Sequence, residues 1–235
     1  MQNKRAVAAI GQFLADHPPD LFINLGDFLD FGGLSRHQRH SSKQPETIAE
    51  SFHWGNEQLD EFDMLLPSKK RCRRVYILGN HEDRLDALLN NPPDRRIEAF
   101  SGLVSVSGGL NLQERGYEVI PYGKIFSVGK ANFTHGWYAG LSHAKQTAER
   151  TGVNLIYAHA HDLQVYTHFT LGGLPRIVAS LGCLCDLNPG WLRGKPNKWV
   201  HAFGVVEFME GGLFTLHPIP IIKGKFSWNG VTYGG

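Results

Sequence analysis

Cysteine is scarce, with only Cys72, Cys183 and Cys185 in a chain of 235 residues. Three cysteines build no disulfide framework and point to a reducing compartment. Long apolar runs are missing as well. No stretch approaches the roughly 18 uninterrupted apolar residues of a membrane helix. Met1-Gln2-Asn3-Lys4-Arg5 leads into no signal-peptide core. The sequence therefore predicts a soluble cytoplasmic protein with no membrane partner. Excess charge of either sign is also lacking, since 24 Lys and Arg against 22 Asp and Glu leave +2. That balance requires no polyanionic partner, so nucleic acid is left open but not indicated, and oligomeric state is not encoded. There are no repeats or linkers, and 27 Gly with 12 Pro fall short of the roughly 25–30% that marks low-complexity sequence. One domain over residues 1–235 is the expectation.

What is present is a sizeable apolar fraction, 42%, enough to bury a core, together with 12 histidines. Val7, Ile10, Phe13 and Leu14 share a helical face that must end before Pro18-Pro19. Leu21–Leu25 then reads as a strand stopping at Gly26-Asp27. Thr47-x-x-Glu50 fits a capping box, and Ile48 to Leu66 continue at helical spacing. Val75–Leu78 is a second strand, stopping at Gly79-Asn80-His81-Glu82, and Leu85, Leu88 and Leu89 suggest a short helix. Lys124–Phe133, turning at Gly129, delivers Thr134-His135-Gly136, and Val153–Tyr157 delivers Ala158-His159-Ala160-His161. From about residue 162 the texture is β, with strands at Val165–Leu171, Pro175–Ser180, Ala202–Phe208 and Leu213–Ile219, and an Asn229-Gly230 hairpin. Helices alternating with strands, followed by a run of strands, predict an α/β architecture.

Four apolar runs thus end in four polar clusters. In open α/β sheets ligands bind beyond the carboxyl ends of the strands, and these clusters offer the carboxylate of Asp27, the amide oxygen of Asn80 and the imidazoles of His135, His159 and His161. Such a mixed O/N set suits Mn, Fe or Zn better than Ca. His159 and His161, two apart, would face the same way in an extended segment. Asp27 has the two oxygens needed to bridge a metal pair, an arrangement that activates water and holds a phosphate oxygen. Taken alone, Asp27 would read as a turn residue and the histidine pair as strand ends; the four clusters together argue for chemistry.

These residues resemble the motifs of the calcineurin-like metallophosphoesterases. Gly26-Asp27-Phe28-Leu29-Asp30 is similar to G-D-x-x-D, and Gly79-Asn80-His81-Glu82 to G-N-H-E/D. His135-Gly136 is similar to the single-histidine motif and His159-Ala160-His161 to G-H-x-H, with alanine replacing the glycine. The resemblance implies a four-layer α/β/β/α sandwich with two divalent metal ions, Mn²⁺ first, with Fe, Zn and Ni as alternatives. By carry-over Asp27 would bridge the metals, Asn80, His135 and His159 would complete one site, and His161 would belong to the other. A phosphomonoester or phosphodiester would be hydrolysed by metal-activated hydroxide. His81 would protonate the leaving alcohol, and Asp30 and Glu82 would orient these groups.

The family's opening D-x-H motif has no counterpart in this chain; Asp16-His17-Pro18 follows a helix rather than an apolar strand. The expectation is a chain beginning one strand late, through truncation or a misplaced start codon, and so lacking its first strand. The competing reading is a catalytically impaired binding module with an incomplete metal site. Lys69–Arg74 reads as the solvated start of a strand rather than a nucleic-acid patch, and Cys183-x-Cys185 as packing. His37, His40 and His53 read as mostly surface, and Trp137-Tyr138 as either pocket wall or packing.

Overall fold

The computed structural model describes residues 2–34, 46–90, 104–169 and 171–235. His37 and His40 lie outside them. Helix α1 (Lys4–Asp16) starts where the Asn3 side chain accepts the Ala6 amide and stops before the two prolines, as its pattern predicted. The chain forms two compact units, Pro18–Tyr122, and Met1–His17 with Gly123–Gly235.

In the unit Pro18–Tyr122, strands β1 (Leu21–Asn24), β2 (Arg73–Ile77) and β3 (Tyr117–Ile120) form a parallel sheet in that order. Ile23 pairs with Val75, and Val75 with Glu118. Parallel strands send all their carboxyl ends to one edge, where Gly26-Asp27, Gly79-Asn80 and Tyr122 follow β1, β2 and β3. Helix α2 (Ile48–Leu65) carries the anticipated Thr47/Glu50 capping box. Helix α3 (Asn80–Asn90) and the short α4 (Val106–Gly109) complete the unit. Leu29, Phe31, Leu59, Tyr76, Leu85, Leu110 and Leu112 form its core. The start of β2 departs from the solvated reading. Arg73 is exposed beside Glu118, but Arg74 is buried, 2.7 Å from Asp63. Asp63 also pairs with Arg115 at 2.7 Å, and the carbonyls of Pro67 and Arg115 accept from Arg74. An inward guanidinium is tolerated because carboxylate and carbonyl partners are buried with it.

In the other unit, a five-stranded sheet runs β4 (Phe126–Val128), β5 (Ala131–Phe133), β6 (Leu155–Tyr157), β8 (Arg176–Leu181), β7 (Leu163–His168). β4 and β5 form the hairpin read from the sequence, while β5–β6 and β6–β8 are parallel. Helix α5 (His143–Thr151) leads into β6. Strands β9 (Ala202–Phe208) and β10 (Phe214–Pro220) pair antiparallel. β11 (Phe226–Trp228) and β12 (Val231–Tyr233) close on Asn229 and Gly230, both at positive φ as a type I′ turn requires. Phe13 of α1 fits among Phe203, Phe226, Trp228 and Tyr233. Trp137, partly buried, packs on Ala148, Leu155, Tyr157 and Val178. No helix among the described residues is long and apolar enough to cross a membrane.

Candidate active site

The loops after β1 and β2 meet because both begin with glycine. Gly26 has φ +91°, and a Cβ there would stand 2.6 Å from the Gly79 amide nitrogen; a Cβ on Gly79 would run into Asp27. Asp27 follows at φ 53°, an uncommon conformation for a residue with a side chain. It is held there by Glu82, which is fully buried in the first turn of α3. One Glu82 oxygen accepts the amides of Asp27 and Gly79, each at 2.9 Å. The other accepts those of Phe28 and Leu29 at 2.8 and 2.9 Å, and the Tyr76 hydroxyl at 3.1 Å. Five donors on one side chain define it as an acceptor-only carboxylate. Burial and that carboxylate push the Tyr76 phenol well up from its ordinary value.

Asp27 in turn accepts the His81 amide through Oδ1 at 2.9 Å, and its Oδ2 lies 3.8 Å from His81 Nε2. On the other side of the ring, His81 Nδ1 is 2.8 Å from Asp30 Oδ1. Arg84 donates to the Asp30 carbonyl at 2.9 Å. The hydrogen bond with His81 holds the Asp30 carboxyl below the usual carboxylate range despite partial burial. Asn80 opens α3, half-buried, beside these groups in the chain. Tyr122, at the end of β3, has its phenol raised by burial and by the charges of Asp27 and Asp83. Tyr122 carries no motif in the sequence, and the short apolar-rich stretch Tyr117–Ile120 before it is the one trace of the strand that places it.

In the other unit, His135 follows β5 and is fully buried, and His159 follows β6. His159 Nδ1 lies 3.2 Å from His135 Nε2. The expected extended arrangement of 159 and 161 is not found. β6 ends at Tyr157, and His159 and His161 both adopt φ 60°, with tight turning between them. The period-two argument therefore does not apply. Ala158 stays outside the left-handed region, so its methyl group is a mild replacement for glycine. His161 lies among Cys183 and Cys185, all three half-buried, and Trp199 stands edge-on to its ring at 4.4 Å. Beside it in sequence, buried Asp162 takes His143 Nε2 at 2.7 Å, Lys198 Nζ at 2.8 Å and Gln164 Nε2 at 2.7 Å. Burial alone would raise the Asp162 carboxyl, but Lys198 and His143 hold it below its usual range. His53 is exposed beside Glu57.

The family model for calcineurin-like phosphoesterases matches residues 2–182. The chain belongs to that family. Membership gives it the α/β metallophosphoesterase fold and places it among metal-dependent phosphoesterases acting on phosphoester substrates. Two curated relatives are both named Gene 54 protein. The one from Mycobacterium phage D29 is 25% identical over 244 residues, covering 97% of this chain and 92% of its own. The one from Mycobacterium phage L5 is 23% identical over 256 residues, covering 97% and 91%. The donors fit the divalent ions that metallophosphoesterases use. Two metal–nitrogen bonds of about 2.0–2.1 Å set neighbouring ligand nitrogens roughly 3 Å apart, and the His135–His159 pair stands at 3.2 Å.

Proposed function

We propose that the chain hydrolyses a phosphomonoester or phosphodiester, with His81 as the proton donor to the leaving oxygen. The observation that carries this reading is the Asp30–His81 pair at 2.8 Å. An imidazole whose Nδ1–H is held by a carboxylate leaves Nε2 as the position at which a proton can be passed. Asp30, kept ionised by that hydrogen bond, fixes the orientation of the ring. Glu82 acts at one remove, since its bonds to the amides of residues 27–29 fix the direction of the Asp27 carboxylate. The first turn of α3, beginning at Asn80, adds the positive end of a helix dipole where phosphate charge would gather.

We assign Asp27, Asn80, His135, His159 and His161 as metal ligands on the family resemblance, within one catalytic domain over the chain. Two divalent ions, Mn²⁺ first, would supply an activated water and neutralise phosphate oxygens. A nucleophile attacking in line leaves the departing oxygen on the far side of phosphorus, where a positioned acid is needed.

The test is hydrolysis of p-nitrophenyl phosphate and bis(p-nitrophenyl) phosphate with Mn²⁺ added, beside His81→Ala. A fall in turnover in the variant, smaller on these esters than the roughly 10²–10⁴ of full general-acid catalysis because p-nitrophenolate leaves with little help, supports the assignment. Absence of turnover with Mn, Fe, Zn or Ni, in a protein that binds the metal, would mark a binding module instead.

A further inference from the structure

At the edge of the residues assigned to the phosphoester ions, and including His161 from among them, three soft or borderline donors converge. One ligand atom each from His161, Cys183 and Cys185 lies within 4.8 Å of the others, and Cys185 Sγ is 4.0 Å from His161 Nδ1. The backbone enforces the grouping. His161 O accepts the amide of Val200 at 2.8 Å, and the Cys183 amide donates to Val200 O at 2.9 Å, so one strand segment clamps both. Asn3 donates to Leu184 O, and His201 Nε2 lies 2.7 Å from Cys185 O. These contacts fix the Cys-x-Cys turn against the histidine. Trp199 limits rotation of the imidazole.

We propose that Cys183, Cys185 and His161 form a thiolate–imidazole site for one Zn²⁺-class cation. Tetrahedral Zn²⁺ with bonds of about 2.3 Å to sulfur and 2.0–2.1 Å to nitrogen places those ligands roughly 3.6–3.8 Å apart. The observed separations need only a small inward closure of the side chains. Each thiol still protonated releases its proton to solvent on binding, and the two thiolates balance the cation's charge. Three protein ligands leave a fourth position for water or a substrate oxygen, the arrangement of catalytic rather than structural zinc. Thiolates select Zn²⁺ over Mn²⁺, so this metal differs in kind from the Mn²⁺ assigned to the phosphoester centre. All three donors belong to one unit, and we reassign His161, which the family resemblance gives to the second phosphoester ion, to this site.

The full chain, stripped of metal under reducing, oxygen-free conditions, is titrated with Co²⁺ and then Zn²⁺. The expected result is a near-ultraviolet thiolate-to-cobalt charge-transfer band that Zn²⁺ abolishes. The band should vanish in Cys183→Ser/Cys185→Ser and persist in Asp27→Asn, separating this site from any ion that Asp27 holds. His161→Ala should weaken Co²⁺ binding by more than the roughly 10–100-fold that losing an outer-shell partner costs. In the unmutated chain, Zn²⁺ should protect two thiols from alkylation, a readout that does not require the variants to fold. No band, no protection, or a band that survives in the double serine variant overturns the proposal.

Discussion

The carboxylate of Glu82 receives the backbone amide of Asp27 at 2.9 Å, across 55 positions of sequence. Asp27 in turn receives the amide of His81, next to Glu82. The two motif loops are thus laced in both directions, each acid holding a backbone amide of the other's motif. Glu82→Gln would turn an amide NH₂ toward N–H donors on one side. The expected cost is on the order of 3 kcal/mol, from lost charge-assisted bonds and stranded buried donors. Chemical denaturation should show a lower midpoint at unchanged slope. Phosphoesterase activity should fall further than stability at the assay temperature explains, because Asp27 loses its support.

Gly26→Ala tests the contact between the loops. At φ +91°, with the Gly79 amide 2.6 Å from the new methyl group, the substitution adds left-handed strain of roughly 1–2 kcal/mol to an overpacking cost of about 1–3 kcal/mol. A destabilisation of at least about 2 kcal/mol is expected by thermal or denaturant unfolding. A neutral result would mean that the loops do not approach this closely.

The glycines, the capping box at Thr47 and the Asn229-Gly230 turn were legible because each is a local requirement written in neighbouring residues. The Asp27 and Asn80 motifs were legible for the same reason: a strand ends, and a glycine and a polar group follow. Conformation within the His159–His161 segment was not, since two residues at φ 60° leave no trace in a period-two pattern. Nor was the meeting of His161 with Cys183 and Cys185, which depends on segment 199–202 lying between them. Arg74 looked solvated because its compensating acid, Asp63, lies on α2. What sequence conceals here is which distant residue answers a charge.

If His81 passes a proton to the leaving oxygen, its loss should matter in proportion to how poor the leaving group is. His81→Ala should depress turnover of an alkyl phosphate by roughly 10²–10⁴, and of a p-nitrophenyl ester by clearly less. Asp30→Asn, which removes the partner 2.8 Å from Nδ1, should show the same leaving-group trend with a smaller amplitude. Steady-state kinetics on the two substrates checks both variants. Equal losses on good and poor leaving groups would assign the pair to substrate binding instead.

His143 sets an acid limit on stability. It is fully buried, with Nε2 2.7 Å from Asp162 and Nδ1 2.5 Å from the Tyr157 hydroxyl. The neutral ring donates to Asp162 and accepts from Tyr157; the cation could only donate. Burial lowers its pKa from the ordinary imidazole value of 6.5 even though Asp162 opposes the shift. The unfolded chain therefore binds this proton more readily, and folding free energy declines as pH drops below 6.5. Asp162, also held below its usual range, adds a second loss at lower pH, as acid protonates a group whose charge the fold stabilises. His143→Gln, whose amide can donate to Asp162 and accept from Tyr157, should flatten the first part of the decline while leaving the second. Denaturant unfolding measured from neutral pH into the acid range should separate the two, and an unchanged slope just below pH 6.5 in the variant would show that another group carries it.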